Sequence, residues 1–311
     1  MSPQTKGSIY GILSAVSYGT NPLGAIFLYK VGITADSVLF YRYLLAALLL
    51  AVLMKIRKIP FGITLKEGLV FCGLGILFAV SSLTLFNSFF YIEVGIASTL
   101  LFVYPIIVTV IMALFFKERI TLPVILSILL ALGGVALLYG GTGEGSLRTT
   151  GIALVMASSL SYALYIIIIN QTKIRIPSIK LSFYVLLWCI LTIVAHSFMG
   201  ETHPLQRLTT PYMWFFAVLL ALFPTVISLV TMAIGIRLIG PTPIAILGAL
   251  EPLTAVTIGV VVFQEPFTGR LATGILLILI GVMLILIRNS STPHPWRNFR
   301  CHIAQIYKGK S

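Results

Sequence analysis

Ten stretches of apolar residues, each close to the length that crosses a lipid bilayer, follow one another along this chain. They run approximately over residues 8–28, 37–54, 68–89, 95–116, 121–140, 150–170, 180–198, 212–236, 243–263 and 269–288. The linkers between them are short, as in helical bundles. Only 9% of the 311 residues are charged, whereas soluble domains carry about 25%. The pattern predicts an all-α integral membrane protein with ten transmembrane helices.

The lysine and arginine residues orient the chain. If both termini lie in the cytoplasm, sixteen of the 21 basic residues fall on the inner side, four fall outside, and Arg42 lies within a span. This asymmetry follows the positive-inside rule, so we expect a multi-pass protein of the cell (inner or plasma) membrane with cytoplasmic termini. The same distribution accounts for the net charge of +13. We therefore expect a lipid bilayer and no nucleic acid as partner.

The first apolar run is too long for a cleavable signal peptide, so we expect it to remain as a membrane span. The three cysteines are scattered and show no metal-ligand spacing. We expect no metal and no cofactor.

The fourth and fifth runs return as the ninth and tenth at a constant offset of 147 residues. Residues 104–137 and 251–284 share residue types that apolar bias does not align: Pro105 with Pro252, Phe116 with Phe263, Glu118 with Glu265, Thr121 with Thr268 and Gly134 with Gly281. A fainter similarity at an offset of 144 links Gly7, Ser14, Ser17 and Tyr18 with Gly151, Ser158, Ser161 and Tyr162. The chain is therefore predicted to comprise a first half (1–145), a second half (146–288) and a basic cytoplasmic tail (289–311).

An odd number of spans in each half reverses the second half in the membrane. The sequence therefore predicts a 5+5 inverted repeat, an architecture that typically supports alternating access in secondary transporters.

Two ionisable residues lie well inside predicted spans, where a charge is expensive. Arg42 either extends its side chain to the outer interface, forms a structural ion pair or contacts a substrate carboxylate. Glu251 either has a structural role, contacts a substrate or cation, or couples protons. Pro105 and Pro252 interrupt matched spans and free backbone carbonyls where transporters hold substrate, with helix bending for packing as the alternative.

Polar and aromatic residues of the first and sixth runs complete the predicted cavity, although serines at helical spacing also serve close helix packing. Gly133, Gly134 and Gly281 are expected to be close-packing sites. The full set of substrate-cavity candidates is Ser17, Tyr18, Asn21, Arg42, Asn87, Tyr104, Pro105, Ser161, Tyr162, Glu251 and Pro252.

Four sequence motifs give the chain a resemblance to a known family over residues 7–288. They are Ser-Tyr-Gly-Thr-Asn at 17–21, Tyr-Arg-Tyr-Leu-Leu at 41–45, Tyr104-Pro105 followed by Phe-Lys-Glu-Arg-Ile-Thr at 116–121, and Glu251-Pro252 followed by Phe-Gln-Glu-Pro-Phe-Thr at 263–268. The chain resembles the drug/metabolite transporter superfamily in its EamA-like ten-helix branch. It departs from the family pattern at Tyr18-Gly19, where Trp-Gly is frequent, and at Tyr104-Pro105, where Glu-Pro is frequent.

The resemblance implies a central cavity that carries amino acids, other metabolites or drugs, often outward. We therefore expect a secondary transporter with a small-molecule substrate, and a homodimer stays open as its oligomeric state. An integral membrane enzyme and a channel are the alternatives. The sequence shows no convergent nucleophiles or metal ligands for the first and no selectivity filter for the second.

Overall fold

The computed structural model describes residues 2–88, 91, 97, 100–118, 120–139, 149–171, 176–199, 205–262 and 268–291. Helices are the only regular elements in this part of the chain, and no strand occurs within it. The beginning of the fourth predicted run, Glu265 and the tail beyond residue 291 lie outside it.

Ten spans can be followed in the described residues, and we number them in chain order. Their bounds are Pro3–Tyr18 with Asn21–Lys30 for span 1, Ala35–Ile56 for span 2, Leu65–Ser88 for span 3, Tyr104–Phe116 for span 4, Leu122–Tyr139 for span 5, Thr149–Gln171 for span 6, Ser178–Met199 for span 7, Pro211–Ile239 for span 8, Pro241–Leu247 with Leu250–Val262 for span 9 and Gly269–Ser291 for span 10. Spans 2, 3, 6, 7, 8 and 9 are long and apolar enough to cross a membrane, and spans 4, 5 and 10 contain shorter apolar helices. The prediction of an all-α membrane fold is confirmed.

Spans 5 and 10 pack against each other through glycines at equivalent positions of the two halves. A Cβ on Gly134 would lie 2.7 Å from the backbone oxygen of Gly274, and one on Gly281 would lie 2.9 Å from that of Ser127. Gly274 and Ser127 are themselves 147 residues apart, so each half makes the same contact with the other. The close-packing prediction is confirmed for Gly134 and Gly281. It is wrong for Gly133, because nothing lies within 4 Å of a Cβ there.

Two helix crossings repeat in the same way. Span 1 packs along span 8, and span 6 packs along span 3, so each crossing joins the two halves. In the first, the Ser14 hydroxyl donates to the backbone oxygen of Ser228 at 3.0 Å, and the two Oγ atoms are 3.2 Å apart. In the second, the Ser158 hydroxyl donates to the backbone oxygen of Ser81 at 2.7 Å, and the Oγ atoms are 3.0 Å apart. Ser14 and Ser158 are related by the repeat offset of 144, and Ser81 and Ser228 by the offset of 147. The two serine contacts are therefore equivalent in the two halves.

The matched prolines stand at interruptions of spans 4 and 9 rather than within continuous helices. Span 4 has a turn at Phe102–Val103, and span 9 stops at Leu247 and resumes at Leu250. Pro105 and Pro252 lie in the first turn of the helix that follows. Backbone N–H groups there have no partner within the helix, so a proline removes no helical hydrogen bond.

Candidate functional site

A small cavity lies where spans 1, 4, 6, 8 and 9 meet, between the two halves. Its wall consists of Gly11, Ser14, Ala15, Tyr104, Tyr162, Ile166, Met232, Ile244, Gly248 and Glu251. In this conformation the cavity has room for about one water molecule. Three of the predicted cavity candidates, Tyr104, Tyr162 and Glu251, are therefore brought together.

Two buried tyrosines, one from each half, form one side of the cavity. The rings of Tyr104 and Tyr162 meet edge to face, with centroids 4.9 Å apart and an interplanar angle of 77°. The Tyr104 hydroxyl donates to the backbone oxygen of Ala245 at 3.2 Å, and the Tyr162 hydroxyl donates to the sulfur of Met232 at 3.4 Å. The rings thus offer apolar and π surface, while both O–H donors are already engaged.

The interruption of span 9 explains how the Tyr104 hydroxyl finds its acceptor. The Ala249 N–H donates to the oxygen of Ile246. It therefore does not donate to the Ala245 oxygen, as it would in a continuous helix. The freed Ala245 carbonyl accepts from Tyr104 instead. A Cβ on Gly248 would lie only 1.8 Å from the Tyr104 hydroxyl, so this close approach requires glycine.

Glu251 supplies the carboxylate of the cavity. It lies at the start of the second helix of span 9 and is partly buried. Among the residues that the structure describes, none donates a hydrogen bond to this carboxylate and none forms an ion pair with it. A carboxylate in such surroundings is unfavourable until a donor or a cation approaches it.

Arg42 is buried between spans 1, 2 and 8, with only 2% of its surface exposed. Its Nε donates to Thr225 Oγ1 at 2.6 Å, its Nη1 to Asn21 Oδ1 at 2.9 Å and its Nη2 to the backbone oxygen of Pro224 at 3.2 Å. The alternative in which Arg42 extends to the membrane interface is therefore wrong. No carboxylate pairs with it within the described ranges.

Two aromatic rings lie against the guanidinium group. Its central carbon is 5.6 Å from the ring centroid of Tyr18 and 5.4 Å from that of Tyr43, distances at which a cation–π attraction stabilises the charge. Tyr18 is the last residue before the interruption of span 1.

Arg42 and its three hydrogen-bond acceptors, on Asn21, Thr225 and Pro224, form what we call the arginine network. Pro224 helps to create one of these acceptors. It has no N–H to donate to the oxygen of Leu220, and span 8 forms a π-helix over Leu222–Ile227. The Thr225 hydroxyl donates to the Leu220 oxygen at 2.8 Å instead. The same hydroxyl oxygen then accepts from Arg42, so the proline and the threonine together create the acceptor.

Carbonyls that lack a helical donor at the interruptions of spans 4 and 9 also find partners within the protein. Pro105 cannot donate to the oxygen of Leu101, which accepts from the Ser159 hydroxyl of span 6 at 3.0 Å. In span 9 the corresponding oxygen, that of Gly248, accepts from the Glu251 N–H at 2.9 Å. Freed carbonyls inside a membrane protein require partners, and here the protein supplies them.

The remaining candidates lie outside the cavity wall. The backbone oxygen of Ser17 accepts from the Thr20 hydroxyl at 2.7 Å, next to the interruption of span 1. Asn87 lies in the last turn of span 3, Ser161 is partly buried on span 6, and Pro252 follows Glu251 in span 9.

The structure adds residues that the sequence analysis did not select, chiefly Thr225, Met232 and Gly248. Thr225 directly follows an intramembrane proline, and Gly248 stands four positions before Pro252, which has no N–H to donate to the Gly248 oxygen. Those two spacings are sequence signals. Met232 stands in an apolar run without any comparable signal.

Known proteins with similar sequences are transporters. The uncharacterized transporter YcbK of Bacillus subtilis is 25% identical over 268 residues, which cover 83% of this chain and 86% of YcbK. An uncharacterized transporter of Archaeoglobus fulgidus is 24% identical over 210 residues, which cover 68% of this chain and 72% of that protein. One solved structure matches with a TM-score of 0.77 at 17% identity, covering 90% of this chain and 97% of that chain, which shows the fold alone.

The profile of the EamA-like transporter family matches residues 5–140 and again residues 149–287. These two matches account for nearly the whole described bundle, and the predicted resemblance is confirmed. The ten spans, the two matching segments and the related transporters agree: the chain is a multi-pass membrane transporter and belongs to the EamA-like transporter family.

Proposed function

We propose that this protein is a secondary transporter that exports small metabolites, such as amino acids or drugs, across the cytoplasmic membrane by alternating access. The halves are residues 1–145 and 146–288, and the tail 289–311 lies with both termini in the cytoplasm. The cavity between the halves holds the substrate.

The duplicated serine contact is the observation that carries this proposal. Each crossing joins the two halves through one serine hydroxyl bonded to a backbone oxygen and to a second serine. In an inverted repeat, equivalent contacts lie on opposite sides of the central site. Either crossing can therefore open while the other stays closed, which gives the two states that alternating access requires.

The size of the cavity supports the same cycle. It has room for about one water molecule, so a metabolite enters only when the walls move apart. Spans 4 and 9, which both line the cavity, are interrupted there. The helices on the two sides of each interruption can therefore move separately.

Flux into proteoliposomes tests the proposal. The purified protein should show saturable counterflow for at least one compound of a broad panel of amino acids, other metabolites and drugs. Gly248→Ala should abolish that flux, because its Cβ would collide with the Tyr104 hydroxyl at the cavity. Gly133→Ala is the matched control, since its Cβ meets nothing within 4 Å, and it should transport normally.

The direction is tested in cells that express the protein. Export predicts that cells preloaded with the transported compound lose it faster when the protein is present. Uniform absence of flux across the panel, or full activity of Gly248→Ala, contradicts transport through this cavity.

A further inference from the structure

The cavity wall has hydrogen-bond acceptors but its hydroxyl donors are all engaged. The Ser14 hydroxyl donates to the Ser228 oxygen, the Tyr104 hydroxyl to the Ala245 oxygen and the Tyr162 hydroxyl to the Met232 sulfur. A hydroxyl has one hydrogen to donate, and its oxygen still accepts. A cargo in contact with these groups therefore finds acceptors and no free O–H donor.

The acid in the wall has the same preference in its ionised form. Glu251 is the ionisable acid of the lining and receives no hydrogen bond from any residue in the described ranges. Arg42 could balance a carboxylate cargo, but it is absent from the lining. Its guanidinium group is directed to Asn21, Thr225 and the Pro224 oxygen, and it lies against the ring of Tyr18.

The aromatic rings of the wall also favour a cationic ligand. Tyr104 and Tyr162 present an edge-to-face pair beside Glu251, and a ring attracts a cation through its quadrupole. Ile166, Ile244 and Met232 complete an apolar surface for the rest of the molecule.

We infer that the cavity selects an organic amine: a protonated amino group that Glu251 and the hydroxyl oxygens accept, on an apolar or aromatic body, without a carboxylate. This inference rests on the proposed transport through the cavity. An ammonium group supplies three donors to a wall of acceptors, and it compensates the Glu251 charge. A carboxylate brings only acceptors and repels the ionised form of Glu251. Among the amino acids and drugs considered above, the site therefore favours cationic drugs and decarboxylated amines over amino acids.

Calorimetric binding to the purified full chain in detergent tests this selectivity with four compounds that share a phenyl group. These are 2-phenylethylamine, 2-phenylethanol, phenylalanine and 3-phenylpropionate. The amine should bind at least about tenfold more tightly than each of the others, as expected for one charge-assisted hydrogen bond. Glu251→Gln should weaken binding of the amine by about tenfold or more.

Glu67→Gln is the matched control, because it makes the same substitution at a glutamate outside the cavity lining. Glu67 accepts the Thr64 N–H at 2.7 Å at the beginning of span 3, and a glutamine oxygen can do the same. Binding of the amine to this variant should equal binding to the unaltered protein.

Equal binding of the amine and the alcohol, tighter binding of phenylalanine or 3-phenylpropionate, or no binding of any of the four overturns the inference. So does unchanged binding of the amine to Glu251→Gln. The comparison on the unaltered protein decides the question even if that variant is produced poorly. Flux of 3-phenylpropionate but not of 2-phenylethylamine would leave the proposed transport intact and reject the amine selectivity. Absence of flux for every compound of the broad panel described above would reject transport itself.

Discussion

The two crossings that share a serine contact differ in the side chains beside it. At the crossing of spans 1 and 8, Asn21 and Thr225 hold the guanidinium group of Arg42. The repeat offsets place Tyr165 and Phe78 at the equivalent positions of spans 6 and 3. Their ring centroids lie 5.1 Å apart, and both side chains are buried. One crossing is thus closed by directional polar bonds and the other by aromatic packing.

This difference separates what the repeat provides from what individual residues add. The repeat gives two equivalent crossings and therefore two states. The arginine network adds hydrogen bonds that must all be replaced when its crossing opens, and bonds to a charged group stabilise by about 1.5–3 kcal/mol each. Aromatic packing has no such requirement, and the buried Tyr165 hydroxyl has no hydrogen-bond partner in the described residues. We expect the aromatic crossing to open more readily than the arginine crossing.

The largest effect is expected for Arg42→Leu. It leaves the Asn21 amide and the Pro224 oxygen without their donor, and we expect a loss of about 3 kcal/mol in the free energy of unfolding. Phe78→Leu, at the aromatic crossing, should cost only about 1 kcal/mol, because the pocket keeps an apolar side chain. Thermal unfolding in detergent compares the two. An equal or reversed order would remove the distinction between the crossings.

A smaller effect is expected for Thr225→Val. The valine keeps the shape of the side chain but lacks the oxygen that accepts from Arg42 and donates to the Leu220 carbonyl. We expect a loss of about 1–3 kcal/mol, because both groups are buried. Thr225→Ser retains the hydroxyl and should unfold at a temperature closer to that of the unaltered protein. If the valine variant is as stable as the serine variant, the threonine does not support the network.

The smallest effects are expected for Ser14→Ala and Ser158→Ala. Because the two serine contacts are equivalent, each substitution should cost the same amount, about 1 kcal/mol of unfolding free energy. The double variant should show the sum, since the two sites share no partner. Ser197→Ala is the control, because the one partner of its hydroxyl among the described residues is the Val194 oxygen of its own helix. Clearly unequal losses for Ser14 and Ser158 would show that the two serine contacts are not equivalent in energy.

The sequence predicts the repeat well because proline, glycine and glutamate do not replace apolar residues freely. Pro105 with Pro252 and Gly134 with Gly281 therefore keep their register through diverged apolar runs. The expense of burying Glu251 likewise marks it as a group with a special environment.

Other features depend on neighbours that the sequence does not align. Whether Arg42 turns to the interface or inward is decided by the π-helix around Pro224, which places Thr225 opposite it. The close approach that requires glycine at position 248 appears only when Tyr104, from the other half, is seen against it. The choice between kinked and interrupted spans was equally hidden, because a proline is compatible with both.

Disulfide locking of the two crossings, combined with flux, tests alternating access most directly. In a background without Cys72, Cys189 and Cys301, one variant carries Ser14→Cys with Ser228→Cys and the other Ser158→Cys with Ser81→Cys; the single-cysteine proteins are the controls. We predict that oxidation stops transport in both double variants and that a reductant restores it, because each crossing must open once in every cycle. A fully oxidised double variant that transports at the rate of its reduced form would contradict the two-crossing mechanism.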